Sequence, residues 1–431
     1  MYRRLSLLIL LAVSISACRD NSIRETPLVL PFEGAESADP ALAMDPASGD
    51  ILLSWVGGDS AGWSLFYSRS GDSGVTWSAP SLVATGPDEI RPQGESSPRI
   101  IAATGNHIGI SWIKSVEVPG RRWPATIVRF ARSLDGGTNW SDALTLNDDS
   151  TGVPAGHQFH GAAWSGDSGI VVAWLDERHG SALANHHGDE ESTAADSTDE
   201  PDASIYMASS PDFGETWKPN AVLWGQVCPC CRVTLVRAAN GDVESAWRKH
   251  YPGNIRDVVT APIGATGAGE PVKVHADGWI YPGCPHTGPG IALGSAGERH
   301  VVWYVGKEGN AGVFYQKVLQ GIPSPAEPLP LVRGRTLPTA HTTIAAVSGG
   351  GAIAAYDIDA NGERGIGVTL IDGAGTEVFH RAIAGSSGGT YPQVVSVDPG
   401  AAVVAWGSVV ANKRLIQLTR ITFPVLKPVS R

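Results

Sequence analysis

The residues best suited to metal binding or redox chemistry are four cysteines and one histidine in two short segments. Cys228, Cys230 and Cys231 form a Cys-x-Cys-Cys run, and Cys284 and His286 form a Cys-x-His pair further along the chain. Thiolate and imidazole are the ligands that zinc and copper(I) prefer in proteins. The pattern therefore predicts a site for copper or zinc.

The same cysteines have two alternative interpretations, as disulfide bonds or as a redox-active pair. Four cysteines follow the amino-terminal segment, and an even number outside the cytoplasm is typical of disulfide bonds. Adjacent Cys230 and Cys231 cannot easily bridge each other without strain, so pairings such as Cys230–Cys284 are expected instead. A redox-active pair is a third alternative. The sequence leaves the three open.

A repeat provides the elements that must position these residues. A short apolar strand, a turn with glycine and a second strand that ends in an aromatic residue recur seven times. The second strands end at Trp55, Trp112, Trp174, Trp247, Trp303, Tyr356 and Trp406. Two further strand-like runs follow each copy, and four strands repeated radially are typical of a β-propeller blade. We therefore predict an all-β, single-domain propeller over residues 28–431, with seven blades favoured and six as the alternative.

In such a ring the first strands line a central channel, and their starts meet at one end. The cysteine segments lie at first-strand starts, and so do His160 and His341. We expect these two histidines to join the metal ligands, because loops held by a rigid scaffold gather functional residues. The acidic, His-rich loop over residues 176–202 opens at the same end, and the low apolar content of residues 188–202 favours disorder over metal capture.

Three copies of an eight-residue motif follow the third strands of the first three units. Residues 70–77, 133–140 and 210–217 match the pattern S-x-D-x-G-x-T-W, with Asn139 in place of threonine. Serine and aspartate side chains bond turn backbone, glycine supplies a positive φ and tryptophan buries a large ring. The motif is therefore predicted to be structural rather than catalytic. Its key residues are Asp72 and Trp77, Asp135 and Trp140, and Asp212 and Trp217.

The motif, together with the four-stranded repeat, resembles the Asp-box or BNR-repeat propellers of the sialidase type. The resemblance implies a glycan-binding or glycoside-hydrolysing function of the exo-α-sialidase kind at the channel face. Enzymes of that family bind the substrate carboxylate with three arginines, and use a tyrosine nucleophile with a glutamate and an aspartate.

By that resemblance, each family role has candidates in this chain. The arginine candidates are Arg99, Arg248 and Arg256, with Arg232 as a fourth, and Tyr391 is the nucleophile candidate. Asp39 and Glu244 are the candidate acids. The family's Arg-Ile-Pro motif is absent, and Pro98-Arg99-Ile100 is its nearest counterpart, so hydrolysis is left open. A metal-binding propeller is the alternative function, and a non-catalytic binding or assembly module is a further one.

The amino terminus resembles a bacterial lipoprotein signal. Arg3 and Arg4 precede a short apolar run that ends Ile-Ser-Ala-Cys at Cys18, and such a run is too short for a permanent membrane span. We predict a signal peptide over residues 1–17, lipidation of Cys18 and a tether over residues 18–27. The chain would then be anchored in the cell envelope, facing the periplasm or the exterior.

Charge and composition limit the partners. The formal net charge is −11, from 32 Lys and Arg against 43 Asp and Glu. This excludes nucleic acid, whose binding requires clustered basic residues. The expected partners are a glycan or another small ligand, and the membrane through the lipid anchor. The expected state is a monomer.

Overall fold

The structure is a computed structural model that describes most of the chain. The described residues are 23–30, 32, 36–59, 62–86, 89–120, 124–149, 155–178, 203–264, 267–319, 326–333, 337–360 and 362–428. Within these ranges the regular structure is β-strand, with 3-10 turns at Gly94–Ser96 and Ser348–Gly350 and no α-helix. In the same ranges, no helix has the length and hydropathy to cross a membrane. The all-β prediction is confirmed.

Five of the sheets are antiparallel and have four strands each. The first two are formed by β2 (Glu36–Met44), β3 (Ile51–Asp59), β4 (Gly62–Ser70) and β5 (Ser81–Ala84), and by β6 (Arg99–Ala102), β7 (Ile108–Val116), β8 (Ala125–Ser133) and β9 (Leu144–Thr145). Two later ones are formed by β19 (Gly290–Leu293), β20 (Arg299–Val305), β21 (Gly312–Val318) and β22 (Leu329–Arg333), and by β23 (Thr342–Val347), β24 (Gly351–Ala360), β25 (Glu363–Ile371) and β26 (Glu377–Ala382). The last combines β27 (Thr390–Asp398), β28 (Ala401–Val410) and β29 (Lys413–Thr422) with β1 (Arg24–Leu28).

The sixth sheet has nine strands. It consists of β10 (His157–Ser165), β11 (Gly169–Asp176), β12 (Ala203–Ser210), β13 (Ala221–Val227), β14 (Thr234–Arg237), β15 (Val243–Tyr251), β16 (Ile255–Gly264), β17 (Gly267–Ala268) and β18 (Val272–Lys273). Its two halves, β10–β13 and β14–β18, are joined where Val227 of β13 pairs with Lys249 of β15. Because two halves share one sheet, the blade number stays a prediction.

The innermost strands close into a ring. Along the chain, β2, β6, β10, β14, β19, β23 and β27 each contact the next, and β27 contacts β2. A central channel of about 200 Å³ is lined by residues from all of these strands, including Arg99 and Arg232. The predicted propeller architecture of four-stranded blades is confirmed.

The aromatic residues that mark the repeat form its core. Each lies on the second strand of its unit, and none is more than 3% exposed. Successive blades bury these rings between their sheets, as in the core cluster that contains both Trp303 and Tyr356. Large rings bury the most apolar area per side chain, so they are efficient at holding neighbouring sheets together.

The amino-terminal strand completes the last sheet of the ring. β1 pairs antiparallel with β29, from Arg24 opposite Thr422 to Leu28 opposite Leu418. Residues 24–27, which the sequence assigned to the tether, therefore belong to the outer strand of the last sheet. Leu28 packs into the core between the first and last sheets.

The three motifs form the turns that the sequence predicts. In the third, the Ser210 hydroxyl donates to Asp212 (2.9 Å) and accepts from the Gly214 N–H (2.8 Å), and Asp212 accepts from the Thr216 N–H (2.8 Å) and hydroxyl (2.7 Å). The tryptophans pack on the preceding blade, Trp217 against Phe130 at 5.0 Å between ring centroids. The motif is thus a turn that staples one blade to the next.

The motifs lie at the end of the ring opposite the first-strand starts. The Phe213 N–H of the third motif donates to the Ser168 carbonyl in the turn between β10 and β11 (2.8 Å). We call the other end, where the innermost strands begin, the channel mouth.

Candidate functional site at the channel mouth

The three cysteines of the Cys-x-Cys-Cys run lie on the link between β13 and β14. The Cys231 N–H donates to the Cys228 carbonyl (3.4 Å), which folds the link into a turn. The Cys228 Sγ lies 3.0 Å from the Cys231 Sγ and 3.8 Å from the Cys230 Sγ. All three are buried, and no disulfide joins them in the structure. Three soft ligand atoms thus share one small volume.

Cys284 and His286 reach the same place from the segment between β18 and β19. One ligand atom from each of Cys228, Cys230 and Cys231 lies within 4.8 Å of the others, and the same holds for Cys230, Cys284 and His286. We call these the inner and the outer triad. Cys230 belongs to both. Five of the seven predicted metal ligands are therefore brought together, and the cluster could hold a metal ion.

Charge and burial act in opposite directions on these thiols. Burial alone would raise the pKa of Cys228, but hydrogen bonds from Cys230 and Cys231 and the charges of Arg256 and Arg248 lower it well below its ordinary value. Burial raises the pKa of Cys230 and of Cys231. Hydrogen bonds and nearby positive charge thus favour the thiolate form of Cys228, whereas burial favours the neutral form of Cys230 and Cys231.

The other two predicted ligands lie elsewhere. His160 is buried, its Nε2 lies 3.2 Å from the Ser111 carbonyl, and burial beside Arg99 lowers its pKa to about 3. The His341 Nδ1 lies 2.6 Å from Asp357. Neither histidine belongs to a triad among the described residues. His341 instead supports Tyr391, whose ring lies 4.0 Å away.

Two of the arginine candidates are structural in their contacts. Arg248 is 1% exposed and donates to three backbone carbonyls, those of Arg256 (2.9 Å), Tyr304 (2.8 Å) and Thr287 (3.4 Å). Its guanidinium also lies over the Trp279 ring at 4.9 Å. Arg256 is fully buried and its Nε donates to the Tyr281 carbonyl (3.3 Å).

Arg99 and Arg232 face the channel, but their guanidinium groups are also bound by other groups of the protein. Arg99 donates to the carbonyls of His160 (3.1 Å) and Glu95 (3.2 Å) and to the Ser97 hydroxyl (2.8 Å), and burial lowers its pKa to about 9. Arg232 pairs with the buried Glu95 carboxylate at 3.2 Å. The structure therefore does not assemble the expected three-arginine clamp.

Tyr391 and Asp39 meet at a second part of the channel mouth. Both line a cavity of about 240 Å³ between the first and last sheets. Burial raises the pKa of Tyr391 to about 12, and burial also raises that of Asp39. The Asp39 carboxylate accepts from the N–H groups of Gln93 and Gly94. A Cβ at Gly94 would lie 2.5 Å from the Tyr391 Cζ, so only glycine admits the ring.

A left-handed backbone conformation sets the direction of these side chains. Asp39 (φ 51°), Phe159 (φ 56°) and Tyr391 (φ 55°) adopt the left-handed region that non-glycine residues rarely enter. Each lies where the register shifts near the start of its innermost strand, in β2, β10 and β27. Such bulges re-aim side chains and are frequent next to functional sites.

Two arginines and two acidic residues near this site were not predicted from the sequence. Arg414 lines the Tyr391 cavity, and Arg364 pairs with Asp357 at 2.6 Å. Both lie near the start of the third strand of their sheet, and third strands begin at the channel mouth. The positions of third-strand starts in the sequence could therefore have identified them. Glu95 and Asp357 had no comparable signal.

The remaining candidates lie apart from this site. Glu244 pairs with Arg299 at 2.5 and 2.9 Å and lines a cavity of about 670 Å³ near the opposite end. Cys18 and residues 179–202, with their three histidines, lie outside the described residues.

No protein-family model and no curated protein matches the chain. Several solved structures match the chain in fold. An ulvan lyase of polysaccharide lyase family PL25, bound to -[GlcA(1-4)Rha3S]-, has a TM-score of 0.57 at 11% identity over 95% of this chain and 98% of its own. A protein of unknown function from Dyadobacter fermentans has a TM-score of 0.52 at 15% identity over 93% and 99%.

The NanB sialidase from Streptococcus pneumoniae has a TM-score of 0.49 at 12% identity, over 93% of this chain and 71% of its own. At identities this low, the likeness to the ulvan lyase and to the Dyadobacter protein establishes the fold alone.

Proposed function

We propose that the chain binds an acidic glycan through the cavity that Asp39 and Tyr391 line. The observation that carries the proposal is the convergence of an aromatic ring, a carboxylate and an exposed arginine, Arg414, on one cavity. Arginine binds carboxylates bidentately through its planar fork. The volume, about 240 Å³, is below the roughly 300–1,000 Å³ of drug-sized sites, which suits one sugar unit.

The site favours binding over hydrolysis. The buried arginines are held by the protein's own carbonyls and by Glu95. The phenol of Tyr391, with its pKa near 12, is a weak nucleophile at neutral pH. The ulvan lyase, which shares the fold, is bound to an acidic sugar repeat, and this supports the choice of ligand class.

The test is calorimetric binding of oligosaccharides that end in glucuronate or sialate, with neutral lactose as the reference sugar. We expect binding of an acidic sugar, and Arg414→Ala should weaken it by about tenfold or more, the value of one charge-assisted bidentate contact. The neighbouring Lys413 is exposed but does not line the cavity, so Lys413→Ala is the matched control.

Two results would overturn this proposal. One is the absence of binding to any acidic sugar, or binding that Arg414→Ala leaves unchanged. The other is release of free sialate that Tyr391→Phe abolishes, which would make the protein a hydrolase rather than a binding module.

A second candidate function is soft-metal binding, with copper or zinc as the ion. It is favoured by the three buried sulfurs that lie within 4.8 Å of one another. Elemental analysis of the purified protein, with a thiol count before and after denaturation, tests it. Near-stoichiometric metal supports this function, whereas absence of both metal and titratable thiols favours disulfides such as Cys230–Cys284.

We also propose that Cys18 is lipidated and holds the propeller at the bacterial cell envelope. The support is the Ile-Ser-Ala-Cys sequence at the end of the apolar run. Radiolabelled palmitate should enter the wild-type protein but not Cys18→Ser, and label in both would reject the anchor.

A further inference from the structure

The two triads differ in their access to solvent. All cysteines of the inner triad are at most 3% exposed. In the outer triad, Cys284 is half-buried and His286 is exposed. Because Cys230 belongs to both triads, the two sets form a continuous path of ligand atoms from solvent to the interior.

The ligand number favours one metal for the inner triad. Among the described residues, no fourth Cys, His, Asp or Glu atom lies within 4.8 Å of all three sulfurs. Structural zinc sites are almost always four-coordinate. Copper(I) is selected by soft thiolate ligands, and three sulfurs suffice for it. The inner triad is therefore better suited to copper(I) than to zinc.

The surrounding charge fits the same ion. Three thiolates around one copper(I) carry a net charge of −2, since each thiol loses its proton to solvent on binding. The Cys228 N–H donates to the Arg248 carbonyl (2.9 Å), and the Arg248 guanidinium donates to the Arg256 carbonyl (2.9 Å), so two buried arginines lie beside the cluster. A buried charge needs a partner of opposite sign, so the arginines and the complex would neutralise each other.

We propose that the cluster is a copper(I) site in two overlapping halves, in which the outer triad captures the ion and the inner triad retains it. The proposal rests on the second candidate function above, and it adds the identity of the ion and the direction of loading. Cys230 passes the ion inward, because it is the ligand that both halves share.

The experiment follows transfer of copper(I) from its bathocuproine disulfonate complex to the fully reduced protein under anaerobic conditions. We expect the wild-type chain to take up one ion, held by three sulfurs and no nitrogen in X-ray absorption. His286→Ala should retain the same ion but load it several-fold more slowly. Cys231→Ser should weaken retention by about 100-fold or more, because it removes a ligand, and loss of a residue that only supports a ligand already costs roughly 10- to 100-fold.

His286 and His380 are both exposed, so His380→Ala is the matched control and should load like the wild type. Cys231 is buried, so the thermal transition of Cys231→Ser shows whether it folds. The sulfur-only signal of the wild-type protein does not depend on that variant.

The outcomes distinguish metal binding by the cluster from its division into a capturing half and a retaining half. If the reduced wild-type protein takes up neither copper(I) nor zinc, the metal-binding function fails and this proposal fails with it. If copper(I) binds but His286→Ala loads at the wild-type rate, the two-half arrangement fails while metal binding stands. Tighter binding of zinc in four-coordinate geometry would overturn the choice of ion.

Discussion

At the scale of single residues, the same side-chain type takes opposite roles in this propeller according to its burial. Arg248 is 1% exposed and its three donor nitrogens bond three carbonyls. Arg414 is exposed at the rim of a cavity. A resemblance of sequence pattern cannot separate these arginines, because burial depends on how distant strands pack.

Arg248→Ala should lower the free energy of unfolding by about 3 kcal/mol or more, because it leaves buried carbonyls without donors. Chemical denaturation measures the change. Arg333→Ala, at an exposed position, is the control and should be close to neutral. A variant as stable as the wild type that had lost ligand binding would assign Arg248 to the binding site instead.

At the scale of elements, we expect the three motif turns to depend on charged carboxylates. The hydrogen bonds of Thr216 lower the pKa of Asp212 to about 2, and those of Asn139 lower that of Asp135 to about 2. The hydrogen bonds of Thr76 also lower the pKa of Asp72. Asp72 and Asp135 are exposed to solvent and Asp212 is half-exposed, so each contributes modestly to stability.

These pKa values lie below the roughly 3.9 of an unfolded aspartate. The contribution of the second and third turns is therefore complete above about pH 4 and is lost as the pH falls through about 2, and that of the first turn also falls in acid. Replacement of Asp72, Asp135 and Asp212 by Asn should lower the melting temperature at pH 6 and reduce its further fall between pH 4 and pH 2. Thermal scans at several pH values test this.

Asp142 is exposed and lies just outside the second turn, so Asp142→Asn is the control for that experiment. An unchanged acid dependence in the triple variant would show that the turns do not need the charge.

At the scale of the whole molecule, stability depends on closing the ring. β1 covers the edge of β29, and Leu28 packs between the first and last sheets. An open strand edge pairs readily with other chains, so natural sheets keep their edges covered.

A chain that begins at residue 30 should therefore melt at a lower temperature and aggregate more than one that begins at residue 23 and keeps β1. Differential scanning calorimetry and light scattering measure the two effects. Equal melting temperatures would mean that the ring closes through its inner strands alone.

The local part of this architecture was accessible from the sequence. Alternating apolar residues, glycine turns and a terminal aromatic residue are short-range signals, and they predicted the strand pairs and their radial repeat. The three motif turns could also be predicted from the sequence, because Ser133, Asp135 and their partners lie within a few residues of one another. The meeting of the Cys-x-Cys-Cys run with Cys284 followed from strand starts in a ring.

Only the tertiary structure decided which side chains meet and which are already occupied. The bulges at Asp39 and Tyr391 redirect side chains by backbone shifts that residue types do not encode. Whether an arginine faces a carbonyl or solvent depends on strands far apart in the chain, as for Arg248 and Tyr304. The sequence by itself determined the propeller repeat and its turns, because those interactions are local. The composition of the site was decided by packing, because its contacts join residues from different blades.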